Sequence, residues 1–277
     1  MRISVRAPFD ADWMVGFLAK RVIPELESVQ GATYFRCVEG SERPISVKVT
    51  NRALSVSIPD DLTDQTPTLK GHVRRVFDLD ADSVAIDAHL RAHPRLRAAV
   101  SRSPGLRVPG AFDGFELAVR AILGQQVSVA RATALARMIV QRYGATGDGR
   151  WVFPSPDCLA RQTPAEIGMP GRRGEAVRRL AEMVARGDLA VSAAMPPNDL
   201  RKALTGIAGI GPWTAQYIAM RAGRDADAFP DSDWVILKQL GTTPAEARKM
   251  AEAWRPYRAY AVMYIWASAA AARVEAA

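Results

Sequence analysis

Two stretches of the 277-residue chain combine residue types and spacing that could do chemistry. The first is Leu204-Thr-Gly-Ile-Ala-Gly-Ile-Gly-Pro-Trp-Thr-Ala215, where Gly209 and Gly211 flank Ile210 and Pro212 follows directly. A helix ending near Leu204, a tight turn and a second helix from Pro212 or Trp213 satisfy this pattern. Both glycines are expected to take positive φ and to clear side chains from the turn. The N–H groups heading the second helix could then approach a phosphate closely. A plain helix connection with glycine caps uses the same residues. The second stretch is Phe229-Pro-Asp-Ser-Asp233-Trp234. A carboxylate there could serve general-base or electrostatic catalysis. Equally, Asp231, Ser232 or Asp233 could simply cap a helix from Trp234 to Leu240.

Other familiar chemistries lack their residues. Cys37 and Cys158 are the only cysteines and neither belongs to a CxxC pair, which argues against a disulfide framework, a cysteine zinc site and an iron–sulfur cluster. His72, His89 and His93 form no HExxH, and there is no GxxxxGK[ST] loop or GxSxG elbow. His89 and His93 are expected to be surface residues. With 37 Lys+Arg against 29 Asp+Glu the formal charge is +8, compatible with a polyanionic partner or with a solvated basic surface. The longest uncharged run, Ala203 to Met220, is broken by Gly206, Gly209, Gly211 and Pro212, and Asp10 and Asp12 stand where a signal peptide would be apolar. These features predict a soluble, cytoplasmic chain without a membrane span.

The elements that must position these residues fall into two kinds. Over residues 1–88, Ile45, Val47 and Val49 alternate with polar neighbours, Asn51-Arg52 offers a turn, and Leu54, Val56 and Ile58 resume the alternation of a half-buried hairpin. Arg2 to Arg6 and Tyr34 to Val38 read as further strands, and Trp13, Phe17, Leu18 and Val22 recur at helical spacing. The expectation is an antiparallel α+β domain carrying no chemical motif. From His89 to the end at 277 the helical period dominates. Asp113 is expected to cap a helix through Leu123, and Ser128 one that runs to Tyr143 with Gly144 as its stop. Thr163-Pro-Ala-Glu166 and Thr243-Pro-Ala-Glu246 both carry the residues of a capping box and are read as helix starts.

LxGIxGIGxxTA followed by FPDSD resembles the helix-hairpin-helix DNA glycosylase superfamily. Asp10-Trp13-Met14-Gly16-Phe17-Leu18, Val76-Phe77-Asp78-Leu79, Phe115-Glu116, Ala121-Ile-Leu-Gly-Gln-Gln-Val-Ser-Val129, Leu237-Lys238-Gln239 and Ile265-Trp266 extend the resemblance over nearly the whole chain. Together they are similar to the branch of bacterial 3-methyladenine DNA glycosylase II. The resemblance implies an α+β fold: an N-terminal antiparallel sheet with helices, then two helical lobes clasping an aromatic cleft. One lobe is 113–230, with the hairpin at 204–215. The other is 89–112 and 231–277.

The implied activity is hydrolytic removal of alkylated bases such as 3-methyladenine and 7-methylguanine from double-stranded DNA. By resemblance Asp233 is catalytic, opposing the positive charge that develops on C1′ as the base departs. Trp213, Tyr217 and Trp266 match base-pocket positions, where electron-rich rings attract a cationic base. Trp213 stands where strand-nicking relatives have a lysine, which implies a monofunctional enzyme leaving an abasic site. Gln126 matches the wedge that fills the gap left by the flipped base, and Gln125, Gly209, Gly211 and Thr214 match other DNA-binding positions. The main-chain carbonyls of Thr205, Ile207 and Ile210 match ligands of a monovalent cation, Na or K; no other cofactor is implied. Arg172 and Arg173 are candidate phosphate contacts, or solvated charge. A monomer acting on the nucleoid is expected. The rival readings are a noncatalytic hairpin protein that binds DNA, and a glycosylase for oxidised or mismatched bases.

Overall fold

A computed structural model describes residues 1–144, 151–169 and 171–275. Five strands, β1 (Arg2–Ser4), β2 (Glu27–Gln30), β3 (Thr33–Arg36), β4 (Ile45–Val49) and β5 (Ala53–Ser57), form one antiparallel sheet in the order β1-β5-β4-β3-β2. Register follows the alternation: Val47 faces Val56 on one side and Tyr34 on the other, and all three side chains are buried. The strands β1 and β3 are shorter than expected at their C-terminal ends, and β2 was not foreseen. It has no clean period of two because its buried residue is Glu27, which only an ion pair makes tolerable inside.

Thirteen α-helices occur among the described residues: α1 (Ala11–Ala19), α2 (Thr66–Val76), α3 (Ser83–Ala92), α4 (Pro94–Arg102), α5 (Gly114–Leu123), α6 (Val129–Tyr143), α7 (Pro156–Ala160), α8 (Arg172–Ala185), α9 (Pro197–Thr205), α10 (Pro212–Arg221), α11 (Trp234–Leu240), α12 (Pro244–Ala251) and α13 (Arg258–Glu275). Their starts are set locally. Asp113 accepts the Glu116 N–H at 2.7 Å and Ser128 accepts that of Arg131 at 3.2 Å. Thr243 and Glu246 form a full capping box at the head of α12.

Thr163 and Glu166 make the same reciprocal bonds, but no helix follows, which corrects the expectation there. After one turn, closed by the Ile167 N–H on the Thr163 carbonyl, Gly168 takes φ +82° and ends it. Val22 likewise lies beyond the end of α1. His89 and His93 are half-buried rather than at the surface, packed edge-on against Tyr257 and Trp254. No helix among the described residues is long and apolar enough to cross a membrane.

Apolar side chains gather into three cores. One lies beneath the sheet, from Ile3 to Leu79. A second joins α5, α6, α8, α9 and α10 with Ile23 and Leu26, and a third joins α3, α4, α11, α12 and α13 around the fully buried Trp254. Sheet and helices are stitched by a buried charge cluster. Arg36 of β3 donates to Glu116 of α5 at 3.1 Å, and Arg120 donates to Glu27 at 2.8 Å and to Glu116 at 2.9 Å. Tyr34 donates to Glu27 at 2.7 Å.

Burial alone would raise the Glu116 carboxyl. Arg36 and Arg120 outweigh it and hold the group well below the ordinary carboxylate range. Glu116→Gln leaves two buried guanidinium groups short of a partner, and about 3–5 kcal/mol of stability should be lost in urea unfolding at pH 7. A carboxyl lowered by folding contributes stability above its unfolded value and loses it as pH falls toward its folded one. The gap between wild type and variant should therefore narrow below pH ~4.3.

Candidate active site

Asp233 ends an extended segment (φ −64°, ψ 122°) and caps α11, its Oδ1 accepting the Ile236 N–H at 3.0 Å. The local cap is thus real, and it does not exhaust the carboxylate. Oδ1 also accepts the indole N–H of Trp266 at 3.1 Å, and Oδ2 accepts that of Trp213 at 3.0 Å. Asp231 is engaged elsewhere, paired with Arg248 at 2.7 Å. Three donors from α10, α11 and α13 meet one acceptor-only group that is 7% exposed, which fixes both its position and its plane.

The two indoles frame an aromatic wall. Trp213 and Tyr217, one turn apart on α10, stack with ring centroids 5.4 Å apart and planes 11° apart. Trp266 stands 6.3 Å from Tyr217 at 40°. This wall borders a cavity of about 1010 Å³ that Asp233 also lines. A space of that size, part ring-lined and part polar, has the character of a ligand site.

Part of the cavity lining comes from the N-terminal domain, where the sequence suggested no chemistry. Trp13, Phe17 and Arg21 recur every four residues along α1 and past its end, and all three line the cavity. Their spacing was legible; that their face turns toward the cleft was not. The Arg21 guanidinium lies 3.6 Å from the Phe17 ring centroid, and that of Arg221 5.0 Å from it. Arg221 donates to Tyr217 Oη at 2.6 Å and to the carbonyls of Pro109 and Gly110 at 2.6 and 3.1 Å. Among the described residues neither arginine is in an ion pair with a carboxylate. Burial pushes Arg21 down to about 10, with the like charges of Arg221 and Arg120 acting in the same direction and Tyr217 opposing them. Burial pushes the Tyr217 phenol up, but Arg221, Arg21 and Arg120 together bring it below the ordinary tyrosine value.

At the mouth, α9 and α10 form the helix-hairpin-helix. Gly209 takes φ +96°, and a Cβ there would lie 3.0 Å from the Arg172 carbonyl oxygen and 3.1 Å from the Ala176 Cβ, so glycine is needed for both reasons. Gly211 departs from expectation: at φ −86°, ψ 173° it is extended, and a Cβ there would meet nothing within 4 Å. Its bareness serves no packing within the chain. Arg172, at the head of α8, stands beside the hairpin.

The α5–α6 turn faces the hairpin, with Gln126 exposed at its tip in the left-handed region at φ +56°, a conformation costing roughly 1 kcal/mol or more. Gln125 is partly buried and bonded to Thr214, whose own side chain is only 2% exposed. Thr205 is exposed, with its hydroxyl donating back to the Arg201 carbonyl at 2.9 Å; Ile207 and Ile210 have buried side chains. Trp234, 62% exposed on the rim beside Asp233, is a further cleft residue that the sequence reading left unassigned. Among the described residues no group of three or more His, Cys, Asp or Glu could hold a metal ion.

This fold is that of known base-processing proteins. It is similar to the solved 3-methyladenine DNA-glycosylase from Archaeoglobus fulgidus, with a TM-score of 0.80 over 97% of this chain and 98% of that one at 18% identity. The AlkA N-terminal domain family matches residues 1–113. The chain is 36% identical to DNA-3-methyladenine glycosylase 2 of Escherichia coli over 95% of both proteins, and 34% identical to the DNA-3-methyladenine glycosylase of Bacillus subtilis over 70% of both. It belongs to the AlkA family of helix-hairpin-helix DNA glycosylases.

The charges around Tyr217 set an observable. In the ultraviolet difference titration of wild type against Tyr217→Phe, the Tyr217 phenolate should form with a midpoint below 10, because nearby cations favour the charged form. A midpoint above 10 would mean that burial outweighs the arginines.

Proposed function

We propose that this protein is a monofunctional DNA glycosylase that hydrolyses the N-glycosidic bond of alkylated bases in double-stranded DNA and leaves an abasic site. The observation that carries this reading is one carboxylate, Asp233, held by three N–H donors at the edge of an aromatic cleft. The names of the E. coli and B. subtilis relatives support 3-methyladenine among the bases removed.

In the proposed reaction a lesion base rotates out of the duplex at a cost of a few kcal/mol and packs against the ring wall of Trp213, Tyr217 and Trp266. An N-alkylated purine carries positive charge, so ring faces attract it while its charge also makes it a good leaving group. As the C1′–N bond breaks, its electron pair goes to the base and positive charge grows on C1′. The fixed Asp233 carboxylate opposes that charge without having to reorganise, and it can orient and deprotonate the water that attacks C1′. Gln126, already exposed in a left-handed turn, is the side chain we assign to the gap left in the stack. Trp213, at the position where a nicking enzyme would need an amine, has no nucleophile to offer.

The DNA would be held at the hairpin. Bare Gly211 and the N–H groups ahead of α10 let a phosphate approach, with Arg172 beside them. The Thr205, Ile207 and Ile210 carbonyls are the proposed holders of a monovalent Na or K ion. In the free protein the Ile207 carbonyl accepts the Ile210 N–H at 3.0 Å, and the other two receive no backbone N–H among the described residues, a donor set that fits a hard cation. Such an ion would bridge the hairpin to phosphate charge. In this reading the second and third cores are the two lobes that clasp the cleft, and one copy of the chain carries the complete site.

Single-turnover release of base from N-methylated duplex should fall at least about a hundredfold in Asp233→Asn, and strand nicks should appear only after alkali. Release by neither protein would overturn the reading and leave the noncatalytic DNA-binding alternative. Trp266→Ala removes a ring and one Asp233 donor together. It should lower excision at least about tenfold while affinity for undamaged duplex stays within about threefold, since hairpin contacts to phosphate carry no base information.

A further inference from the structure

Gln125 and Gln126 are neighbours in the same turn, yet Gln126 is exposed and Gln125 only half-exposed. The Gln125 side-chain amide reaches across to the hairpin, where Nε2 donates to the Gly209 carbonyl at 2.9 Å and to Thr214 Oγ1 at 3.0 Å. The carbonyl can only accept, so the amide nitrogen must face it. One nitrogen with two hydrogens thus bridges two segments that are 84 and 89 residues away in sequence.

Each anchor leads to a working part of the site. Gly209 is the left-handed residue of the hairpin, pressed against the Arg172 backbone. Thr214 follows Trp213, whose indole holds Asp233 Oδ2. On the near side the next residue is Gln126. A continuous path therefore runs from the exposed tip through Gln125 to the hairpin and on to the carboxylate.

We propose that Gln125 is a positioning residue that locks the α5–α6 turn to the hairpin, so that the side chain entering the DNA stack and the carboxylate that faces the sugar and its attacking water are held in register. This rests on the glycosylase reading above. Without the bridge the turn can shift independently of the hairpin, and insertion no longer coincides with entry of the base. The effect is then largest where a base pair must be opened and small where the lesion has no partner.

The test compares 7-methylguanine paired with cytosine and the same lesion in a single-nucleotide bulge, under single-turnover conditions at saturating enzyme. Gln125→Met keeps the length and loses both donors. It should lower the paired-to-bulged ratio of excision rates about tenfold, the scale of one or two net hydrogen bonds. Gln125→Lys, which restores donors for the same two oxygens, should recover most of that ratio. Equal slowing on both substrates would mark a merely structural contact and overturn the proposal, as would no slowing on either. Failure of the wild type to release base from either duplex would instead sink the glycosylase reading on which it stands.

Discussion

The arrangement around Asp233 depends on three N–H donors that reach it from three helices. A carboxylate capping a helix through one oxygen is a common local device and would leave the group free to rotate about its remaining contacts. The two indole N–H bonds remove that freedom. Because Trp213 sits at the start of α10 and Trp266 within α13, the carboxylate joins the second core to the third. The same rings that border the cavity also hold its acidic group. An aromatic wall and a fixed charge are thus one assembly, and a shift of either helix would disturb both.

A second constraint is the distribution of buried charge. Glu27, Arg36, Glu116 and Arg120 compensate one another where the sheet meets α5, and this seam brings α1 against the cleft. Arg21 and Arg221 are treated differently: their guanidinium groups rest on rings, carbonyls and a phenol, and among the described residues no carboxylate pairs with them. Uncompensated cations inside a protein are costly, so the floor of the cleft is held together by donors matched to neutral acceptors and by the faces of Phe17 and Tyr217. The N-terminal domain is therefore part of the site.

Much of the local architecture was legible. Caps at Asp113, Ser128 and Thr243, the hairpin between α9 and α10, and the alternating strands β4 and β5 all follow from residue type and spacing, because the forces that set them act within a few residues. The misreadings also have local causes. The capping residues at Thr163 are present, but Gly168 stops the chain before a helix can propagate. The strand β2 escaped notice because its inward residue is a glutamate, acceptable there only because Tyr34 of the neighbouring strand and Arg120, 93 residues away, meet it. Gly211 has the residue type of a left-handed turn and an extended conformation, since an absent side chain does not reveal whether the backbone or a ligand requires the space.

By itself the sequence determined the class of fold, several helix starts and strands and, through motif resemblance, the family to which the comparisons assign the chain. Spacing is enough for this because helix caps, strand alternation and glycine turns encode nearest-neighbour physics. Only the tertiary structure decided that Trp213 and Trp266 point their indole N–H groups at one carboxylate, that Arg21 and Phe17 face the cleft, and that Gln125 turns inward while Gln126 remains exposed. Those outcomes depend on how three separate cores pack together, and no periodicity along the chain records the direction in which a helix face will meet a neighbour a hundred residues away.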